Sequence, residues 1–105
     1  MAQHFFSIDG QWIAFRRSAD DKYLFDTKGN WIGWFPWGDN DAVDTEGRYL
    51  GTIVRNRFVE LRSRPYRGYP GYPGYPGYPG YPGYSGYPGY AGYIPSARDI
   101  VELLS

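Results

Sequence analysis

The sequence predicts an all-β domain of tandem hairpins, followed by a low-complexity tail and a short C-terminal segment. Three stretches share one pattern: Ser or Asp, then Gly three residues later, then an aromatic residue, Ile or Leu, and Ala or Gly. They are residues 7–14, 26–33 and 44–51, and they recur at intervals of 19 and 18 residues. A short repeat that carries a turn signal in every copy indicates one β-hairpin per unit.

Each repeat opens on a residue that suits the first position of a type I turn. The side chain of Ser or Asp can accept hydrogen bonds from the turn backbone, and glycine at the fourth position tolerates a positive φ. We therefore assign structural turn roles to Asp26 and Asp44 and to three glycines, Gly10, Gly29 and Gly47.

A fourth unit is present but eroded. The short strands before the turns align as residues 5–7, 24–26, 42–44 and 58–60. In the fourth unit Ser63 stands where the turn glycine is expected, and Pro65 stands where the aromatic residue is expected. Because proline cannot donate to a sheet ladder, we expect the outgoing strand of this unit to be lost or confined to an edge.

The outgoing strands are apolar on both faces. Strict alternation would place Trp31 and Gly33 on one face, with Ile32 and Trp34 on the other. Two apolar faces predict two buried surfaces, one against sister hairpins and the other against a further layer or another subunit. We therefore expect a homo-oligomer.

The four tandem units, the Gly-x-Trp-Ile-Gly type of strand and the Trp-Phe-Pro-Trp-Gly link at residues 34–38 carry a family resemblance. Residues 4–66 resemble the small bacterial four-fold beta flower domain proteins. The resemblance implies a compact all-β domain of four petal-like hairpin units, and it brings no assigned activity with it.

Composition divides the 105-residue chain into three parts. Residues 1–66 form the predicted hairpin domain. Residues 67–94 hold nine Gly-Tyr-x triplets, with Pro as x in six of them, and this composition predicts a disordered or polyproline II-like tail. In a polyproline II helix every tail tyrosine would fall on one side. For residues 95–105, a short amphipathic helix and a strand that completes the fourth hairpin both stay open.

Catalytic and metal chemistry have little support in this composition. The chain has no cysteine and one histidine, His4, which excludes a disulfide and a thiolate or multi-histidine metal site. Turn chemistry already accounts for Asp26 and Asp44. We predict a non-enzymatic protein without a cofactor. The N-terminus lacks a signal-peptide pattern and no stretch could span a bilayer, so we expect a cytoplasmic protein.

Candidate binding residues lie in the link, in a basic segment and in the tail. They are Trp37, Arg55, Arg57, Arg62, Arg64, Arg67, Tyr69, Tyr72, Tyr75, Tyr78, Tyr81, Tyr84, Tyr87, Tyr90 and Tyr93. We predict a protein that self-associates through its β domain, and the tyrosine array predicts multivalent contacts with a protein partner. The alternative is a module that binds single-stranded nucleic acid or a glycan through arginine and aromatic residues.

Overall fold

The computed structural model describes residues 2–62, 66–100 and 103. Seven consecutive strands form one sheet in chain order: β1 (Gln3–Phe6), β2 (Trp12–Arg16), β3 (Tyr23–Asp26), β4 (Trp31–Trp34), β5 (Asp41–Asp44), β6 (Tyr49–Val54) and β7 (Arg57–Leu61). Consecutive strands are antiparallel, so β1 and β7 run in the same direction. These two strands pair in parallel through Phe6 and Arg57. The sheet thereby closes into a barrel, and the predicted all-β fold of tandem hairpins is confirmed.

The three complete repeats turn in the same way. In the second unit the N–H of Gly29 donates to the carbonyl of Asp26 at 3.1 Å. The Asp26 carboxylate accepts from the N–H groups of Lys28 and Asn30, both at 2.9 Å. The turn glycines have φ values of +93° at Gly10, +86° at Gly29 and +89° at Gly47. Glycine adopts this region without the steric penalty that other residues meet.

A β-bulge in each complete repeat decides which face the aromatic residue occupies. Phe25 pairs with Trp31 and Leu24 pairs with Gly33, so Ile32 has no partner in the register. Leu24 and Phe25 point to opposite faces of the sheet, and their cross-strand partners do so too. The expectation that Trp31 and Gly33 share a face is therefore wrong. The first and third units have the same shift in register.

The inner face of the barrel combines an apolar residue of each incoming strand with a small residue of the next strand. Phe5 pairs with Ala14, and Leu24 pairs with Gly33. A Cβ atom on Gly33 would lie 2.3 Å from the backbone oxygen of Val43, so no larger residue fits there. The buried core cluster contains Phe5, Ile13, Ala14, Leu24, Phe35, Ala42, Ile53, Phe58 and Ile100.

The outer face of the sheet is also apolar and buried. The residues that follow the core positions in the incoming strands are at most 4% exposed: Phe6, Phe25, Val43 and Val59. At Trp31, on this face, the covering layer is the chain's own tail, because the indole contacts the rings of Tyr72 and Tyr75.

The C-terminal segment supplies a partner for the fourth unit. Strand β8 (Ala97–Arg98) pairs antiparallel with β7, where Glu60 lies opposite Arg98 and Leu61 opposite Ala97. Of the two alternatives left open for this segment, the structure has the strand at these two residues. Ser63 and Pro65, and most of the segment after Ile100, lie outside the described residues. In the described part of the chain, no helix has the length and apolarity needed to cross a membrane.

Candidate binding surface

The tail lies against the barrel as a belt, a name we use for residues 68–94. Two contacts hold its first half and middle: the Tyr23 hydroxyl donates to the Pro73 carbonyl at 2.9 Å, and His4 Nε2 lies 3.2 Å from the Gly83 oxygen. Two more lie at the first turn. The Tyr87 hydroxyl donates to the Asp9 carbonyl at 3.2 Å, and the N–H of Ala91 donates to the Ile8 carbonyl at 2.8 Å.

Three belt tyrosines lie on the three turn glycines, which we call the seats. A Cβ atom on Gly47 would lie 2.9 Å from the Tyr69 ring; on Gly29, 2.5 Å from the Tyr78 ring; on Gly10, 2.7 Å from the Tyr87 ring. These seat tyrosines are spaced nine residues apart, whereas the seats are 18 and 19 residues apart. Three triplets of the belt therefore match one hairpin unit, and the belt passes the units in reverse order.

Between the second and third seats the belt packs on Trp31. The indole centroid lies 5.6 Å from the Tyr72 ring and 5.9 Å from the Tyr75 ring, both in edge-on geometry. Tyr23 packs edge-on against the same indole at 6.0 Å. Edge-on contacts of this kind add about 0.5–1.5 kcal/mol each beyond area burial. Trp31 therefore belongs to neither the barrel core nor the free surface, but to the contact between barrel and belt.

The indoles of the first two units are held in fixed orientations by their own strands. Trp31 Nε1 donates to the Gly33 carbonyl at 2.7 Å, and Trp12 Nε1 donates to the Ala14 carbonyl at 2.9 Å. In the first unit His4 packs edge-on against Trp12 at 5.5 Å, which repeats the Tyr23–Trp31 arrangement of the second unit. The barrel thus presents the belt with two equivalent aromatic pairs.

The belt is not a uniform polyproline II helix. In each of its nine triplets the glycine has a φ between +72° and +91°, whereas polyproline II needs φ near −75° at every residue. Proline followed by a positive-φ glycine is typical of a type II turn. The exposure of the nine belt tyrosines ranges from 61% at Tyr72 to 87% at Tyr84.

The candidate arginines differ in burial. Arg57 is 6% exposed, and its Nη1 donates to the Ser7 carbonyl at 3.2 Å, so it is a buried structural residue. Arg55 and Arg62 are exposed, and Arg64 lies outside the described residues. Of these arginines, Arg57 is therefore too buried to bind a phosphate backbone, whereas Arg55 and Arg62 are accessible to one.

Arg67 and Trp37 form a clamp at the root of the belt. The guanidinium lies 4.1 Å from the centroid of the Trp37 ring, and Nη1 is 2.7 Å from Asp39 Oδ2 and 3.0 Å from Asp41 Oδ2. The hydrogen bond to Asp39 raises the pKa of the Arg67 guanidinium above its ordinary value. Trp37 is half-buried. Both candidates are therefore engaged with the chain itself.

A groove of about 460 Å³ separates the turns of the second and third units. Asp26, Asp44, Trp31 and Leu103 are among its lining residues. Both carboxylates accept hydrogen bonds from their own turn backbones, as expected for turn residues. Within residues 2–62, 66–100 and 103, no group of three or more acidic, histidine or cysteine side chains could hold a metal ion.

Comparisons with protein-family models, with curated proteins and with solved structures found nothing that matches this chain. The resemblance of residues 4–66 to the beta flower domains thus stays a prediction. Function has to be argued from the geometry of the belt and the barrel.

Proposed function

We propose that this chain is a non-enzymatic interaction protein, which self-associates and presents its belt tyrosines for multivalent contacts. The observation that carries the proposal is the exposure of the rings on an anchored backbone. All nine belt tyrosines are at least 61% exposed, although the belt is hydrogen-bonded to the barrel from Pro73 to Ala91.

Four of these tyrosines are free to meet a partner. Tyr81, Tyr84, Tyr90 and Tyr93 are 68–87% exposed, and they make no ring contact or side-chain hydrogen bond with the residues that the structure describes. We call them the outward tyrosines. The seat tyrosines and the two tyrosines at Trp31 are already engaged with the barrel.

Anchoring strengthens such an array. One aromatic contact adds only about 0.5–1.5 kcal/mol, too little to hold two proteins together. Several contacts on one surface act together, since each contact raises the effective concentration for the next. A belt that is already ordered also loses less conformational entropy on binding than a free tail would.

The test replaces the outward tyrosines. Ser at Tyr81, Tyr84, Tyr90 and Tyr93 should abolish concentration-dependent clustering in light scattering, with the melting temperature unchanged. Phe at the same four positions is the matched control and should retain clustering, because it keeps the rings. Equal clustering of the Ser variant and the native chain would contradict the proposal, as would a native chain that neither clusters nor captures a protein.

Self-association through the β domain has its own test. The belt covers Trp31 on the outer face, so a chain that ends at residue 66 should expose this apolar surface and bury it against other copies. Light scattering should then report a multiple of the monomer mass. A stable, monodisperse monomer would contradict this part of the proposal.

A further inference from the structure

The barrel surface under the belt recognises a periodic segment. We call this surface the girdle; it comprises the three seats together with His4, Ile8, Tyr23, Trp31 and Arg57. At each seat a tyrosine ring lies so close to the turn glycine that a side chain on that glycine would occupy the same space. Because the seats and the seat tyrosines have matching spacings, the same contact between glycine and tyrosine occurs three times around the barrel.

The girdle is chemically suited to a proline-containing repeat. Proline lacks an N–H, so the repeat offers carbonyl acceptors in excess of donors. The girdle faces it with side-chain donors: Tyr23 OH bonds the Pro73 oxygen at 2.9 Å, and Arg57 Nη2 lies 3.5 Å from the Pro88 oxygen. These contacts involve backbone carbonyls, which every Gly-Tyr-Pro triplet provides.

One contact uses a departure from the repeat. Ala91 stands at a position that is proline in six other triplets, and its N–H donates to the Ile8 carbonyl at 2.8 Å. Proline could not make this bond. Ser85 also replaces proline, but its N–H makes no hydrogen bond to a described residue. Ala91 therefore fixes the register of otherwise similar triplets on the first turn.

From this match we infer that the girdle is a docking site for Gly-Tyr-Pro repeats, and that its partner in trans is the belt of a second copy of this chain. The inference rests on the proposed function and adds a second contact between copies, which the seat tyrosines make at roughly millimolar local concentration. Exchange of belts replaces each contact by an identical one, so its free-energy cost is small.

The competitor in this exchange is the chain's own belt. A short tether gives the bound belt an effective concentration in the millimolar range. Belts of other copies therefore occupy the girdle when their local concentration approaches roughly one millimolar, as in a cluster or on a crowded surface. Dilute molecules hold their own belts, and dense molecules become linked.

The experiment titrates the full chain into a fluorescent peptide of residues 68–94 and follows anisotropy. We expect saturable binding with a dissociation constant near the millimolar range set by the intramolecular competitor. A peptide with Ala in place of the seat tyrosines Tyr69, Tyr78 and Tyr87 should bind at least tenfold more weakly. The matched control has Ala in place of Tyr81, Tyr84 and Tyr90 and should bind like the native peptide. Equal binding of the two variants, or no binding of the native peptide, would overturn the inference.

A substitution in the protein should raise the affinity for the peptide, whereas the substitutions in the peptide lower it. Ala91→Pro in the full chain removes the belt's own hydrogen bond to Ile8, while the added peptide keeps it. The native peptide should then bind about fivefold more tightly, the factor expected for one net hydrogen bond. Ser85→Pro is the matched control and should leave the affinity unchanged. If Ala91→Pro does not tighten binding, the girdle does not discriminate between its own belt and the peptide, and the inference fails.

The two proposals fail separately. Clustering that depends on the outward tyrosines, without peptide docking, would leave the proposed function standing and overturn belt exchange. Peptide docking that depends on the seat tyrosines, without any clustering or partner capture, would overturn the proposed function.

Discussion

The barrel and the belt reach order in opposite ways. In the barrel, Phe5 and Phe58 are fully buried in a closed sheet whose neighbouring strands are hydrogen-bonded. In the belt, Tyr84 is 87% exposed, and the backbone meets the barrel at a few separate points. The barrel is ordered by its own apolar burial, whereas the belt depends on the barrel surface beneath it. A low-complexity segment can thus acquire a register from the period of a folded neighbour.

The largest expected difference between the two regions comes from truncating one ring in each. Phe58→Ala removes a fully buried core ring and should destabilise by about 3–5 kcal/mol, enough to unfold much of so small a domain. Tyr84→Ala should change the free energy of unfolding by less than about 0.5 kcal/mol. Urea denaturation of both variants measures the contrast. Similar losses would mean that the belt is part of the core.

The contact between the barrel and the belt can be tested at the Gly29 seat. Gly29→Val places a side chain at φ +86° and against the Tyr78 ring, whereas Gly38→Val meets a similar φ of +68° with nothing within 4 Å. The backbone conformation alone costs about 1–2 kcal/mol in both. Gly29→Val should lower the melting temperature further, by about 4–8 °C for each additional 1 kcal/mol.

Equal melting temperatures for Gly29→Val and Gly38→Val would show that the Tyr78 ring does not rest on Gly29. A double variant provides a further test: Tyr78→Ala in the Gly29→Val background removes the ring that clashes. It should recover the additional loss and leave only the backbone penalty.

Acid should destabilise the protein through carboxylates of the barrel. Burial alone would raise the pKa of the Asp21 carboxyl, but the hydrogen bond from Arg17 at 2.7 Å, with the N–H groups of Tyr23 and Arg17, holds it below its ordinary value. The folded pKa is lower than the unfolded pKa of about 3.9. The stability from this group is therefore present above about pH 4 and is lost as the pH falls through the folded pKa.

Residues 67–94 contain no carboxylate, so a belt that depends on the barrel should respond to acid only through it. Denaturant midpoints between pH 2 and pH 6 should fall less steeply for Asp21→Asn than for the native chain. Belt signals, followed by tyrosine resonances, should change over the same pH range as barrel signals. A belt that loses its order at a different pH would separate the two regions.

The smallest effect is expected at the root of the belt. Arg67→Gln removes the ion pairs to Asp39 and Asp41 and the contact over Trp37. Asp39 is exposed, and the buried Asp41 keeps the hydrogen bond from Thr52 Oγ1 at 2.8 Å, so the melting temperature should fall only slightly. Amide hydrogen exchange near Tyr69 should accelerate while exchange in β5 and β6 does not. Unaltered exchange near Tyr69 would show that the seat, and not the clamp, holds the root.

Turn chemistry was readable because it is local. Asp26 and Gly29 are three residues apart, and the N–H of Gly29 donates to the Asp26 carbonyl. The hairpins and the all-β fold therefore follow from short-range rules. The face of Trp31 was predicted wrongly, because the bulge at Ile32 arises from pairing with Leu24 and Phe25. The seat tyrosines are nine residues apart and the seats 18 and 19 residues apart, and both spacings were present in the sequence. Composition alone, however, predicted a tail that does not pack on the hairpin domain.

The repeat, its turns and the triplet period of the tail can be read from the sequence, since each depends on residues a few positions apart. The other features depend on tertiary contacts. Closure of β1 on β7, the pairing of Ala97–Arg98 with β7 and the placing of Tyr78 on Gly29 join residues from distant parts of the chain. Such contacts form only when a closed sheet brings separate segments together, because their free energy must exceed the entropy lost in ordering the chain between them.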